Sequence, residues 1–326
     1  MLENYARRFI PLPAVVWQGL VTFSGQGAVL ANGTVPGQSA WPDATNTGVP
    51  VGTTLTPWSN SNTITTSQTI TAKHFTGGVD VLGNITVTFN NCLFDGFTDG
   101  SGQGLTIESG NVAVNNCMFN GPGPNATSEY YAVGINAYGS GGNIGNITIQ
   151  SCRFRYWVGA IQFTGDNWGT GTQVLIQDSY IGPCSVGGHT DGIWWQGTMS
   201  TNRKIVVNHN TIYNQQTQSD CILFGVAYTF SPNTTAPNDG GIITNNLMVS
   251  GTGNFCLDAA GAGPPDYTPT AYPTNVTVTG NHFGADSNGL AFPQSDSFGW
   301  DVNNPGNVCS PNYYDGRTIF ATLVAD

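Results

Sequence analysis

Hydrophobic and polar residues alternate along the middle of the chain in a short string that recurs seven times. The strings "VTFNNCLF" (87–94) and "ITIQSCRF" (147–154) show the pattern, in which apolar residues at alternate positions precede a small or polar sixth position. This alternation is typical of a half-buried strand. The seven strings align without gaps, and their sixth positions are Cys92, Cys117, Cys152, Ser179, Asn210, Asn246 and Asn281.

A second string lies between successive copies of the first. Examples are "GLTIES" (104–109) and "GIWWQG" (192–197), and the apolar second positions of all seven copies are Leu105, Ile135, Ile161, Ile193, Ile222, Leu257 and Leu290. Successive copies of the first string lie 25 to 36 residues apart. Two interleaved strands per turn of this length predict an all-β fold, a right-handed parallel β-helix of about seven or more coils with two or three long sheets.

Outside the repeats, the two ends of the chain are predicted to close or dock the solenoid. We expect an N-terminal capping or docking segment at 1–40, the β-helix at 41–302 and a C-terminal cap at 303–326. The first segment carries apolar residues such as Phe9 and Trp17, which need either the open solenoid end or a partner chain to cover them. It faintly resembles a signal peptide, but Pro11 and Pro13 interrupt its apolar run.

Composition narrows the classes of partner. Charged residues make up only 8% of the chain and the net charge is −11, which argues against nucleic acid as a partner. There is no apolar run of about 18 residues, so we expect no membrane insertion. The seven cysteines are an odd number and never show Cys-x-x-Cys spacing, and no cofactor fingerprint appears. We therefore expect no metal and no cofactor, and free core thiols rather than disulfides.

Strand alternation predicts which side chains face outward on the second ladder. With Ile193 inward, Trp194 and Gln196 point outward and Trp195 points inward. The outward positions of neighbouring coils form two rows, Thr106, Asn136, Gln162, Trp194, Leu223, Asp258 and Ala291 in one, and Glu108, Tyr138, Thr164 and Gln196 in the other. Amides, hydroxyls and flat rings suit a carbohydrate, so the predicted glycan-binding residues are Trp194, Gln196, Gln162, Asn136, Tyr138 and Asp258. The alternative is an ordinary polar solenoid exterior.

Two acids give a second hypothesis for the same region. Asp191 and Asp220 each lie two residues before a ladder Ile, so we expect them to stack on consecutive coils. Two carboxylates about 5 Å apart can share hydrolytic work on a glycosidic bond, and His189 lies close enough to assist. The alternative is structural, because Asp before Gly commonly caps a turn. A lyase is the weaker enzymatic option, since Arg153 and Arg155 are the only basic pair near the ladder face.

The segments "WPDATNTGVPVGTTLT" (41–56), "ITAKHFTGGVDVLGNITVTFNNCLF" (70–94) and "HTDGIWWQG" (189–197) resemble a pectate-lyase-like family of right-handed parallel β-helices. That family is seen in minor tail proteins of phages that infect actinobacteria and in secreted actinobacterial proteins, and the resemblance covers roughly residues 41 to 300. It implies a structural protein of the virion tail or tail tip that contacts host cell-envelope glycans.

Three hypotheses follow. The leading one is a host-contacting tail protein without turnover, bound to other virion tail proteins through residues 1–40, with a homotrimer as one arrangement. The second is a polysaccharide-degrading glycoside hydrolase that uses Asp191 and Asp220. The third is a secreted actinobacterial solenoid.

Overall fold

The computed structural model describes residues 41–97, 102–125, 132–138, 144–164, 173–185, 190–196, 204–214, 220–225, 240–250, 255–258, 275–285, 308–309 and 312–316. Their strands follow one another in coils. The first four coils comprise β1 (Thr56–Pro57), β2 (Thr63–Ile64) and β3 (Gln68–Thr71); β4 (Lys73–Phe75), β5 (Val79–Val81) and β6 (Thr86–Asn90); β7 (Leu93–Phe94), β8 (Gln103–Ile107) and β9 (Gly110–Asn115); and β10 (Met118–Asn120), β11 (Val133–Tyr138) and β12 (Ile144–Gln150).

The next four coils comprise β13 (Arg153–Arg155), β14 (Gly159–Thr164) and β15 (Gln173–Gln177); β16 (Tyr180–Ile181), β17 (Asp191–Gln196) and β18 (Lys204–Asn208); β19 (Thr211–Asn214), β20 (Asp220–Gly225) and β21 (Gly241–Thr244); and β22 (Leu247–Ser250), β23 (Phe255–Asp258) and β24 (Thr277–Thr279). The last described strands are β25 (His282–Ala285), β26 (Val308–Cys309) and β27 (Tyr313–Gly316).

Each complete coil contributes one strand to each of three parallel sheets. Sheet 1 has ten strands and begins with β1, sheet 2 has eight and begins with β2, and sheet 3 has nine and begins with β3. Neighbouring coils pair in parallel, as when Ile193 of β17 lies opposite Ile222 of β20. The prediction of a right-handed parallel β-helix is confirmed. Among the described residues, no helix is long and apolar enough to cross a membrane.

The interior of sheet 1 contains a column of aromatic rings. Phe75, Phe94, Phe119 and Phe154 stack face to face on four successive coils, with centroid separations of 4.6, 4.4 and 4.7 Å. The four side chains are fully buried. Their spacing follows the rise from coil to coil, about 4.8 Å, because side chains at equal register positions must lie directly above one another.

The corner between sheets 3 and 1 explains the first sequence string. A residue with positive φ turns the chain at this corner on successive coils, for example Asn91 and Asn116, where Asn tolerates the left-handed conformation. The next residue points inward, so Cys92, Cys117 and Cys152 stack as predicted and are buried, free thiols. The last five coils continue the same ladder with Ser179, Asn210, Asn246, Asn281 and Asn312.

Residues 41–50 form a strap across the outer face of sheet 1. Trp41 packs on Leu247 and Val249 of β22, which point outward and are nevertheless buried. Further along the strap, the Gly48 N–H donates to the Ser151 carbonyl at 2.9 Å, and Arg153 donates to the Ala44 carbonyl at 3.3 Å. The strap therefore runs back along the solenoid from the eighth coil toward the first, and β1 is the first strand among the described residues.

Candidate functional site

The outer face of sheet 2 carries the two rows that alternation predicts. Parallel pairing places Thr106 beside Asn136, Asn136 beside Gln162, and Gln162 beside Trp194. The same row continues through Leu223 to Asp258, while Ala291 lies outside the described residues. In the second row, Tyr138 lies beside Thr164.

Exposure separates the outward side chains of this face from the inward ones. Tyr138 is 47% exposed and is one of three large hydrophobic residues that stand out in solvent among the described residues. Trp194 and Gln162 are half-buried, whereas Trp195 is buried and stacks on Phe163 with a centroid separation of 4.9 Å. One ring of the "WW" pair therefore belongs to the core, and the other faces outward beside the amide of Gln162.

Asn136 stands out on this face because its amide oxygen is buried without a hydrogen-bond partner. The hydroxyl of the neighbouring Thr106 cannot serve as its donor, because it already donates a hydrogen bond to the Gln103 side-chain oxygen at 2.7 Å. An unpaired buried oxygen costs free energy, and an Asn amide can both donate to and accept from a hydroxyl. The amide is therefore a candidate point for recognising a sugar hydroxyl.

The charged side chains described on this face are acidic. Asp80 precedes Thr106 in the first row, and the exposed Glu108 begins the second. Gln196 and Asp258 occupy the expected positions at the ends of β17 and β23, but their side chains lie outside the described residues. The face therefore offers hydroxyls, amides and rings to a ligand, with carboxylates at its N-terminal end.

Asp191 and Asp220 lie together at the start of their strands, as their spacing predicts. The Asp191 Oδ1 accepts a hydrogen bond from the Asp220 backbone N–H at 3.0 Å. The two residues are only 3% and 7% exposed. Asp191 thus stabilises the backbone of the next coil, and neither carboxylate stands open to a polymer at the surface.

Asn214 and Cys184 lie close to this carboxylate pair. The Asn214 amide donates to the Thr190 carbonyl and, at 3.0 Å, to the Asp220 carbonyl. Cys184 is buried nearby, and burial raises the pKa of its thiol to about 12, with a further contribution from the negative charge of Asp191. The arrangement is a buried polar cluster that ties β17, β19 and β20 together.

The histidines give no metal site in the described part of the chain. His189 lies outside the described residues. His209 pairs with Asp178 at 2.7 Å and His74 with Asp95 at 2.6 Å, each pair joining consecutive coils. No group of three metal-ligating side chains occurs among the described residues.

Comparisons with family models, with curated proteins and with solved structures find no match to this chain. The family resemblance therefore rests on the sequence motifs alone. Two features of the candidate region were missed by the sequence reasoning, namely the unpaired Asn136 oxygen and the buried Cys184 thiol beside Asp191. Neither has a local sequence signal, because each depends on residues brought together from different coils.

Proposed function

We propose that the outer face of sheet 2 binds a cell-envelope glycan, and that the protein serves as a host-contacting structural protein of a phage tail. The observation that carries the proposal is the continuous outward surface from Asn136 and Tyr138 to Gln162 and Trp194. The virion setting comes from the motif resemblance. A secreted protein with the same glycan-binding face is the alternative setting.

The chemistry of the face fits a carbohydrate better than an ion or a nucleic acid. Exposed and half-exposed rings stack on the flat faces of sugars, and neighbouring amides supply both donors and acceptors for hydroxyls. Side chains in one row repeat at about 4.8 Å along the solenoid. A glycan chain laid along the axis would therefore meet Tyr138 and Trp194 on different coils.

The experiment measures saturable binding of the full chain to actinobacterial cell envelopes. We expect Tyr138→Ala and Trp194→Ala each to weaken binding about tenfold, which corresponds to about 1.4 kcal/mol for one lost ring contact. Val51→Ala, a truncation at a fully exposed position before β1, is the control and should bind like the wild type. Absence of wild-type binding, or equal losses in all three variants, would reject the proposal.

The hydrolase is the second candidate, favoured by the stacking of Asp191 and Asp220 on consecutive coils. Its test incubates the protein with the same envelopes and follows soluble fragments by mass spectrometry. The double variant Asp191→Asn, Asp220→Asn is run beside the wild type. We expect fragments from neither protein, because both carboxylates are buried. Fragments from the wild type alone would establish the hydrolase.

A further inference from the structure

The outer face of sheet 3 differs in chemistry from the other two faces of the solenoid. One outward row changes along its length from Thr88, Ala113 and Thr148 to Leu175, Val206 and Ile242, and then continues through Thr277 to Val308. The three aliphatic side chains of coils five to seven are only half-buried, and Val308 is 47% exposed. Four aliphatic residues therefore face outward in one row.

The rest of this face is polar and carries almost no charge. A second outward row contains Asn90, Asn115, Gln150, Gln177 and Asn208, and the Asn115 amide donates to the Asn90 oxygen at 3.0 Å. The nine described strands of sheet 3 contain no Asp or Glu, and their one charged residue is Lys204. This is notable in a chain with 19 acidic residues and a net charge of −11.

We propose that the outer face of sheet 3 is a self-association surface, on which a second copy of this chain packs face to face. The negative charge of the chain favours a second copy as the partner on this face. Two chains of charge −11 repel each other through most of their surfaces, and the carboxylate-free strands of sheet 3 are where they can approach with least repulsion. A basic partner would instead be attracted to acidic surfaces such as the one around Asp80 and Glu108.

The size of the face agrees with a dimer. Strands of about five residues give a width of about 16 Å, and nine strands at about 4.8 Å give a length of about 40 Å. The resulting area of about 650 Å² per chain lies at the lower end of the range for stable interfaces, whose mean is about 800 Å² per partner. Because each copy offers the same rows, a two-fold axis can place the aliphatic row of one against that of the other.

Sedimentation equilibrium of the full chain tests the proposal. We expect a species of twice 34.3 kDa for the wild type. Val206→Asp should raise the dissociation constant at least tenfold, because it places two carboxylates in the contact. Thr164→Asp, an outward substitution on sheet 2 beside the neutral Tyr138, is the matched control and should leave the dimer unchanged. The double variant Val206→Thr, Ile242→Thr keeps β-branched residues in the strands and should weaken the dimer several-fold without affecting folding.

Salt gives an independent measurement. If the interface is apolar and carboxylate-free, raising NaCl from about 0.05 M to about 0.5 M should tighten the dimer, because it screens the repulsion between the acidic chains. Weakening by salt would indicate intersubunit ion pairs and would overturn the proposal. A monomeric or trimeric wild type would also overturn it, as would equal effects of Val206→Asp and Thr164→Asp.

Discussion

Trp41 stacks on His209 with a centroid separation of 5.6 Å and an interplanar angle of 25°, although the two residues are 168 positions apart in the sequence. Trp41 also forms an edge-to-face contact with His282, with a centroid separation of 5.2 Å and an interplanar angle of 67°. Trp41 is itself only 3% exposed. This side chain therefore anchors the strap to the coils at the C-terminal end of the solenoid.

Replacing Trp41 by Ala should lower the free energy of unfolding by about 3 kcal/mol. The substitution removes a large buried ring and uncovers Leu247 and Val249, so both lost burial and the residual cavity contribute. Denaturant unfolding followed by circular dichroism measures the change.

Val51→Ala is the control for the strap, because Val51 lies just after it and is fully exposed. The denaturant concentration at the unfolding midpoint of this variant should match that of the wild type. If Trp41→Ala unfolded at the same denaturant concentration as Val51→Ala, the strap would contribute nothing to stability.

A second prediction concerns the interior Asn ladder. Asn246 accepts hydrogen bonds from the Asn210 backbone and side chain, each at 3.0 Å, and donates to Asn281 at 2.9 Å. Asn246→Ala leaves several buried polar groups unpaired and should cost about 3 kcal/mol or more of the free energy of unfolding.

Two further variants separate the ladder from a general effect of losing an amide. Asn246→Ser should recover part of the loss, because Ser179 fills the same position and accepts from the Cys152 N–H at 3.1 Å. Asn115→Ala, in an outward and partly exposed Asn pair, should cost less than about 1 kcal/mol. Thermal or denaturant unfolding measures the stability of the three variants. Equal losses in all three would contradict a specific contribution of the interior Asn ladder to stability.

The repeating part of the fold was predictable because a β-helix repeats its chemistry at each coil. Apolar alternation marked both the strands of sheet 3 and those of sheet 2, and the small or polar residue after the corner marked the interior ladder from Cys92 to Asn281. The strap was not predictable in this way. Its anchor depends on contacts between Trp41 and residues such as His209, which lie on coils far along the sequence.

The sequence predicted the strand positions of the candidate site residues, but it did not predict how deeply the two carboxylates are buried. Alternation correctly placed Trp194 outward and Trp195 inward, and the spacing correctly stacked Asp191 on Asp220. It could not show that the two carboxylates are withdrawn from solvent, because that burial depends on segments of other coils that the spacing does not specify. The roles of these residues in binding or catalysis stay predictions.

Two substitutions of Asp191 distinguish the contribution of its hydrogen bond to stability from that of its negative charge. Asp191→Ala removes the acceptor of the Asp220 N–H and should lower the free energy of unfolding by about 1 to 3 kcal/mol. Asp191→Asn retains a side-chain oxygen at the same position and should lose much less. If the Asn variant were as unstable as the Ala variant in denaturant unfolding, the negative charge rather than the hydrogen bond would matter.

The Cys184 thiol should make stability depend on pH in the alkaline range. Its pKa is raised from 9.0 to about 12 in the folded protein, first by burial and then by the charge of Asp191. Between these two values the unfolded thiol ionises while the folded thiol remains protonated, so the unfolded state binds fewer protons. The contribution of Cys184 is therefore fully present below pH 9 and is progressively lost as the pH rises toward 12.

Cys184→Ala should remove this part of the pH dependence. Between pH 8 and pH 10, the linkage relation assigns Cys184 a loss of about 1 kcal/mol, so the wild type should lose about that much more stability than the variant over this interval. Denaturant unfolding of both proteins at pH 6, 8 and 10 measures the difference, and the values at pH 6 and 8 supply the baseline, since the thiol is protonated in both states there. Parallel pH profiles for the two proteins would show that the thiol ionises in the folded state as readily as in the unfolded one, and would contradict its enclosure beside Asp191.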